Sequence, residues 1–590
     1  MRYLSLVLPL VLLYSEAFAQ QARMEGSRKA RQKLTFSWEG PYRTEAKETF
    51  LNFRMEVAFT DPTGQQMLVP GYFAADGRAG ESSATAGNVW RAHLVPLVPG
   101  EWTYRVRFYR GDGLAIIPSV EKGQSPALQE NSGTFRVLPA DEAAAGFLGK
   151  GKLQYAGGPF LRFTDGDYFL KMGANSPEVF LEYADFDGTD SERSYSAHLK
   201  DWTEGDPVWQ GGKGKAIIGI VNYLKEQGIN AHYFLLMNAY GDGKKAYPWT
   251  GPDSFYEYDV SKLDQWQVVF DHMMEAGVMP QLVLSEQENQ SYFETKEGGV
   301  FADSRKVYYR EMAARFGYLQ AVTWNIGEES GWEKEPTYGK AINGQQRKEF
   351  AAYLRELLPY EELIVVHNGP SNTDAIFEEL LGHPAYTGIS YQGNFENPLY
   401  GYERIRHWRE ASDRWGHPWV VSYDEPYTNP EFPDLDTWRK HSLWAALMGG
   451  AAGAALYVGK GRDLTIEDYR LYESYWKTMD RARRFFVDNH LPFNEMKPME
   501  SSEVGGGWVM SANSGDYLLY LPEGGKGRMK VPAGAYRLHW FDPAMGELYS
   551  TGLPRQVWHE GWMEAGNMPF KPQADWLLWL SRENGSGGEE

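Results

Sequence analysis

Two short runs of this chain end in acids: Thr323-Trp324-Asn325-Ile326-Gly327-Glu328-Glu329 and Trp419-Val420-Val421-Ser422-Tyr423-Asp424-Glu425-Pro426. Their β-branched and aromatic residues read as strands. The acids therefore fall at the C-terminal edge of a strand, where a parallel α/β barrel builds its active site. Two carboxyl groups facing each other across such a mouth are equipped to break a glycosidic bond, one protonating the leaving oxygen while the other attacks the anomeric carbon. Glu329 is read as the acid/base and Glu425 as the nucleophile. Glu328 competes with Glu329, because neighbours at a strand end point opposite ways and only one is expected to face the cleft. Asp424 competes with Glu425, which Pro426 holds extended.

Positioning two such groups requires a closed sheet. Strand runs alternate with amphipathic helices from about residue 150, with strands expected at Tyr168 to Gly173, Asn230 to Met237, Met279 to Ser285, Ala321 to Ile326, Leu363 to His367, Gly388 to Tyr391, Trp419 to Tyr423 and Ala454 to Val458. Eight strands predict a (β/α)8 TIM barrel. Glu329 and Glu425 end the fourth and seventh, and their separation of 96 residues matches three βα units of roughly 31 residues each. The run Ser261 to Ala276 is a helix with Ser261 as N-cap, Leu263, Trp266, Val269, Phe270 and Met273 on one face, and Gly277 as terminator.

Around the barrel the period changes to two. Residues 30–140 alternate in runs such as Arg54-Met55-Glu56-Val57-Ala58-Phe59, broken by Asp61-Pro62-Thr63-Gly64 and Pro99-Gly100, and residues 495–582 do so in runs such as Asp516-Tyr517-Leu518-Leu519-Tyr520-Leu521. Both read as antiparallel β-sandwiches. The expected organisation is a multidomain α/β plus all-β chain, with a barrel over 150–492 between an N-terminal and a C-terminal β-sandwich. Residues 583–590 are rich in Gly, Ser and Glu and read as a disordered tail. Residues 1–19 carry a basic Arg2, an apolar stretch and Ala17-Phe18-Ala19, the pattern of a cleavable signal peptide. Export to the periplasm or medium is the expectation, with no integral membrane segment.

Composition excludes several chemistries. With no cysteine there are no disulfides, thiolate metal sites or thiol nucleophiles. A net charge of -20 disfavours nucleic acid, whose binding relies on clustered Lys and Arg; a local basic cleft would still be compatible with a sulfated or uronate glycan. His559-Glu560-Gly561-Trp562 lacks the second His of a zinc protease motif, and no Gly-x-Ser-x-Gly elbow stands at a strand-to-helix turn. The chemistry asks for no metal and no cofactor. The loop Asp185-Phe186-Asp187-Gly188-Thr189-Asp190 has acids at Ca²⁺-binding intervals and is read as solvated surface.

Other strand ends supply polar groups for a carbohydrate substrate: Asn175, Asn238, Gln287, His367, Asn368, Tyr391 and Tyr457. Tyr391 is expected to donate its phenolic hydrogen to the neighbouring Glu425. Trp249, with Trp202, Trp209 and Trp332, lies on predicted loops where an indole could stack on a sugar ring.

The run Trp324-Asn325-Ile326-Gly327-Glu328-Glu329 resembles the Trp-x-x-Gly-Asn-Glu signature that ends strand four in clan A glycoside hydrolases, with Glu328 in place of the usual Asn. Glu425 matches that group's strand-seven nucleophile position. The whole arrangement is similar to exported bacterial proteins with an N-terminal domain of unknown function (Ig-like), an apiosidase-like barrel and a C-terminal domain of the kind named for collagen binding. Its most specific stretches are Ser261-Lys262-Leu263-Asp264-Gln265-Trp266, Ser285-Glu286-Gln287-Glu288-Asn289 and Tyr308 to Gly317. The resemblance implies a retaining hydrolase of plant or algal polysaccharides. The rival expectation is a glycan- or matrix-binding surface protein with a degenerate barrel; loss of one strand-end carboxylate would mark it, and both are present. The sugar, the linkage, exo or endo action and the oligomeric state are not legible.

Overall fold

A computed structural model describes residues 22–117, 127–333, 338–394, 398–427, 434–550 and 552–583. The segment up to Ala19, read from sequence as a signal peptide, and nearly all of residues 583–590 lie outside the described residues. Among the described residues, no helix is long and apolar enough to cross a membrane.

At the centre stand eight parallel strands: β1 (Lys171–Ala174), β2 (Ala231–Leu235), β3 (Met279–Val283), β4 (Thr323–Asn325), β5 (Leu363–Val365), β6 (Gly388–Asn394), β7 (Val420–Tyr427) and β8 (Gly453–Leu456). They pair in the order β5-β4-β3-β2-β1-β8-β7-β6. A parallel bridge between His367 and Ser390, just past β5 and on β6, closes the ring. All eight expected strands are present, several shorter than the sequence suggested. Fully buried runs such as Ala231–Leu235 and Met279–Val283 are what a sheet covered on both faces demands.

The main helices are α1 (Lys215–Glu226), α2 (Val260–Ala276), α3 (Asp303–Phe316), α4 (Gly344–Leu357), α5 (Pro398–Arg414) and α6 (Glu473–Asp488). Helix α2 corrects one expectation: its cap is Asp259, which accepts from the Lys262 amide at 3.0 Å, while the Ser261 hydroxyl donates to the same carboxylate at 2.9 Å. A carboxylate at that position satisfies an orphan amide and meets the positive end of the helix dipole. Gly277 ends the helix with φ +78°.

An antiparallel sheet precedes the barrel, its strands in the spatial order Arg23–Glu25, Leu34–Thr44, Ala86–Leu94, Gln66–Phe73, Phe53–Thr60, Gly100–Arg110 and Gln129–Val137. Phe36 packs its ring 5.0 Å from both Phe59 and Phe135 in the core. This sheet sits on α3, whose Arg310 and Arg315 reach out to the carbonyls of Met55 and Phe73, each at 2.8 Å. That contact explains why both faces of α3 are buried: the helix serves two packing surfaces.

A second antiparallel assembly follows the barrel, built on Trp508–Ser511, Tyr517–Leu521, Trp576–Arg582 and Gly534–Asp542. It is fastened by the Arg439–Asp575 pair, at 3.0 and 2.7 Å, and by Tyr402 of α5 stacked on Trp508 at 5.0 Å.

Candidate active site

The C-terminal ends of the strands carry a cluster of carboxyl groups. Glu329 follows β4 and adopts φ +43°, the left-handed region that costs a side-chain-bearing residue roughly 1–2 kcal/mol. The turn it makes is pinned on both sides, since the Glu328 amide donates to Ser285 O at 2.9 Å and the Ser330 amide to His367 O at 3.0 Å. Glu425 comes from β7 and is 4% exposed.

One side chain links them. The Gln392 amide nitrogen, on β6, donates to Glu329 Oε1 at 3.0 Å and to Glu425 Oε1 at 2.6 Å. Those two oxygens therefore lie no more than 5.6 Å apart, the sum of the two bonds. An amide NH₂ has two hydrogens, one for each carboxylate, so Gln392 acts as a spacer between them.

Beneath this pair the barrel interior is polar. Lys171 Nζ donates to Asp424 Oδ1 and to Gln281 Oε1, both at 2.6 Å. The Ser390 hydroxyl donates to Asp424 Oδ2 at 2.7 Å and the Gln281 amide to the same oxygen at 3.0 Å. Burial opposes the charge on Asp424, but Lys171, Ser390 and Ser422 together hold its carboxyl below the usual range. Because Ser390 spends its hydrogen on Asp424, it accepts from His367 Nδ1 at 3.0 Å. The imidazole hydrogen is thus fixed on Nδ1, and Nε2 faces Glu425 Oε2 at 3.2 Å.

Glu328 belongs to the same pocket. One ligand atom each of Glu328, His367 and Glu425 lie within 4.8 Å of one another. Burial, then the charges of Glu329 and Glu425, push the Glu328 carboxyl well above the ordinary range. The left-handed turn at Glu329 thereby corrects the expectation that only one of the two acids faces the cleft. The same donor set could hold a cation, as could Asp242, Glu286 and Glu288 on the rim, whose ligand atoms also lie within 4.8 Å of one another.

Several expected ligands have other duties. Asp424 is the extra residue of a bulge: Tyr391 pairs with Tyr423 and Gln392 with Glu425, so Asp424 has no partner on β6. A bulge turns two consecutive side chains to one side, which sends Asp424 down into the barrel core and leaves Glu425 at the mouth. Tyr391 does not donate to Glu425; its ring lies 5.3 Å from that of Tyr423, and Gln392 takes the role instead. Asn368 positions Gln392, accepting from its amide at 2.9 Å and donating to its carbonyl at 3.0 Å. Asn175 donates to the Asp424 carbonyl at 2.9 Å. Asn238 is used up on Glu182 and the Ala246 amide. Gln287 is buried in the turn after β3.

Trp249 is no stacking platform; it is buried beside Trp-facing rings of Tyr258, Phe293 and Tyr308 at 5.6–6.2 Å. Trp209 is likewise buried, stacked on Phe186 at 5.3 Å. Trp332, half-buried after β4, keeps a ring near Gly369, and Trp202 carries Lys215 over its face at 4.1 Å. The acids of the Asp185–Asp190 loop are engaged by protein: Asp185 by Tyr183 and the Gly214 amide, Asp187 by Ser83 and Gln210, Asp190 by Lys245.

Four site residues escaped the sequence reading: Gln392, Glu178, Asp463 and Tyr233. Glu178 follows β1 and its backbone amide donates to Asp463 Oδ1 at 3.1 Å. Burial first, then Glu425, pushes Asp463 up to about 7, although Ser176 and the Glu178 amide pull the other way. Tyr457, expected at the site, and Tyr233 are both raised by burial and then by the site's carboxylates, Glu425 foremost for Tyr457 and Glu328 for Tyr233. The ring of Tyr233 lies 5.9 Å from that of His367, beside the carboxylates. A polar residue just past a short apolar strand was the available signal for Glu178; for Gln392 there was none.

Comparison with known proteins agrees with the architecture. Residues 30–109 match a family described as a domain of unknown function, DUF5060. Comparison with curated proteins by sequence found no match. Among solved structures, a candidate glycoside hydrolase from Bacteroides vulgatus ATCC 8482 is 13% identical with a TM-score of 0.62, over 94% of this chain and 99% of that one. A pullulanase from Anoxybacillus sp. LM18-11 is 10% identical with a TM-score of 0.40, over 95% and 85%. A family 5 mannosidase from Rhizomucor miehei is 11% identical with a TM-score of 0.36, over 52% and 86%. At 13% identity the likeness to the Bacteroides vulgatus structure is one of fold.

Proposed function

We propose that this protein is an exported glycoside hydrolase acting on a plant or algal polysaccharide by retaining double displacement. The observation that carries the reading is the Gln392 amide held between Glu329 and Glu425, which keeps two carboxylate oxygens within 5.6 Å across the barrel mouth. Retaining glycosidases keep their carboxyl groups about 5–5.5 Å apart, whereas inverting ones leave about 6.5–9.5 Å for a water.

In this reading Glu425 attacks the anomeric carbon and Glu329 protonates the leaving oxygen, then removes a proton from the water that hydrolyses the glycosyl-enzyme. Glu425 is held for attack by Gln392 on one oxygen, and the other stands 3.2 Å from His367 Nε2. Glu329 is the more exposed of the pair, as a group that must exchange protons with solvent requires. Glu328, kept in its acid form by burial and like charge, can donate a hydrogen bond to a sugar hydroxyl beside the cleavage point. Tyr457, which shares those carboxylates as neighbours, is assigned to substrate binding with it.

The rival is a glycan-binding protein with an idle barrel. Glu329→Gln separates them: a hydrolase loses reducing-sugar release while still retarding in polysaccharide affinity gels. Equal, unmeasurable turnover by both forms across plant, algal and host glycans would favour binding alone.

A further inference from the structure

The pocket that holds the carboxyl pair also carries two ligand atoms with nothing bonded to them. His367 leaves the end of β5 fully buried, and its Nε2 has no hydrogen-bond partner among the described residues; Glu425 Oε2 on β7 has none either. The two atoms face each other at 3.2 Å. A bridging proton would have to lie near the line between them, and their alignment makes no hydrogen bond. A metal ion sits off that line. With Zn–N and Zn–O bonds of about 2.0–2.2 Å and a tetrahedral angle, two ligand atoms stand about 3.3–3.5 Å apart, close to the separation observed.

The turn after β4 adds a third ligand: one ligand atom each of Glu328, His367 and Glu425 lie within 4.8 Å of one another. The imidazole is already prepared. Ser390 donates to Asp424 Oδ2 at 2.7 Å and so accepts from His367 Nδ1 at 3.0 Å, which leaves the lone pair on Nε2. Metal-bound histidines have this same support, a hydrogen bond on the far nitrogen that fixes the tautomer and raises ligand basicity. Lys171 anchors Asp424 in turn at 2.6 Å. Two carboxylates and a neutral imidazole balance the charge of a dication, and an imidazole favours transition ions over Ca²⁺ and Mg²⁺, which take oxygen ligands. Burial and the charges of Glu329 and Glu425 keep Glu328 in its acid form in the metal-free protein; a dication displaces that proton and relieves the repulsion between the carboxylates.

We propose that His367 Nε2, Glu425 Oε2 and the Glu328 carboxylate bind a divalent transition-metal ion of the Zn²⁺ class, and that the bound ion, by ligating the nucleophile, holds the protein in a reversible inactive state. The site itself does not depend on turnover; the inactivation rests on the glycosidase reading.

The test uses the untagged full chain, stripped with EDTA and dialysed, then titrated with CoCl₂ by visible absorption and with ZnCl₂ by calorimetry. One equivalent of Co²⁺ binds with the visible bands of a nitrogen- and oxygen-ligated ion, and Zn²⁺ displaces it. Ca²⁺ and Mg²⁺ bind at least 100-fold more weakly. His367→Ala and Glu328→Gln each weaken Zn²⁺ at least tenfold, while Glu288→Gln, in the acidic cluster on the rim, stays within threefold. Melting curves of the stripped variants control for folding; if His367→Ala does not fold, the near-isosteric Glu328→Gln carries the test. On a glycan that the stripped protein cleaves, Zn²⁺ at the concentration that saturates the site abolishes reducing-sugar release, and EDTA restores it.

No stoichiometric binding, affinity unchanged in both ligand variants, or binding lost only in Glu288→Gln would overturn the site. Full turnover with the site saturated would overturn the inactivation. The expected metal binding in a protein that cleaves no glycan, stripped or loaded, would uphold the site and sink the hydrolase reading instead.

Discussion

Gln392→Leu tests the hinge of the site with little change in volume. The substitution removes the one amide that donates at 3.0 Å to Glu329 and at 2.6 Å to Glu425. A hydrogen bond to a charged group contributes about 1.5–3 kcal/mol. Loss of the shorter bond alone predicts about a 10- to 150-fold fall in kcat/KM at roughly 1.4 kcal/mol per decade. Loss of both sets a ceiling of about 6 kcal/mol, which the shared amide keeps from being additive. The expected fall is therefore on the order of 30- to 1,000-fold, mostly in kcat, because the bonds orient reacting groups rather than hold sugar. Gln392→Glu sharpens the test by placing a third carboxyl between the two. Three acids at such distances cannot all ionise, so this variant should be far weaker than wild type at pH 7.5 and recover relative to it at pH 5, where the new carboxyl keeps a proton and can donate. The assay is steady-state kinetics from pH 4 to 8 on the best glycan of a screen, with melting curves as a fold control. A Gln392→Leu enzyme within threefold of wild type would refute the reasoning.

Three further predictions follow from burial and charge. Asp463 is raised from 3.8 to about 7 in the fold, so the unfolded chain releases this proton first and native stability falls as pH rises from about 4 to 7; Asp463→Asn should gain on the order of 3 kcal/mol relative to wild type at pH 8 and little at pH 4, and an equal difference in urea unfolding at both pH values would count against this. Lys171→Met strands the buried Asp424 and should cost about 3–5 kcal/mol, with most of it regained in the Lys171→Met, Asp424→Leu double variant; a double variant no more stable than the single one in the same unfolding assay would contradict the pairing. Trp249→Ala opens a cavity among aromatic rings and should cost about 3–5 kcal/mol while KM of the folded fraction stays within twofold, so a large KM change would restore Trp249 to the cleft.

How much of this was legible in the sequence depends on which backbone rule was in force. Strand runs that are apolar throughout, closed by acids and separated by helices, predicted a parallel barrel and placed Glu329 and Glu425 at its mouth, because periodicity and burial act along many residues at once. The failures are local. Alternation assigns one of Glu328 and Glu329 to the cleft, but a single left-handed residue at Glu329 brings both in. Alternation also favours Tyr391 as the partner of Glu425, and one bulge at Asp424 shifts that role to Gln392. Neither device leaves a mark in residue type, since Glu is a poor candidate for positive φ and Asp424 looks like any strand-end acid. Trp249 misled for a different reason: indoles on predicted loops suit sugars and cores alike, and here the loop folds back onto Phe293 and Tyr308.

The central claim is that Glu425 becomes covalently attached to the sugar. Incubating the enzyme with a 2-deoxy-2-fluoro glycoside of the sugar it cleaves, then digesting and sequencing the labelled peptide by mass spectrometry, addresses it directly. The account predicts time-dependent inactivation and one added sugar on Glu425, with no label in a Glu425→Gln protein. A label on Glu328 or Glu329, or turnover that yields the inverted anomer with no trapped species, would contradict it.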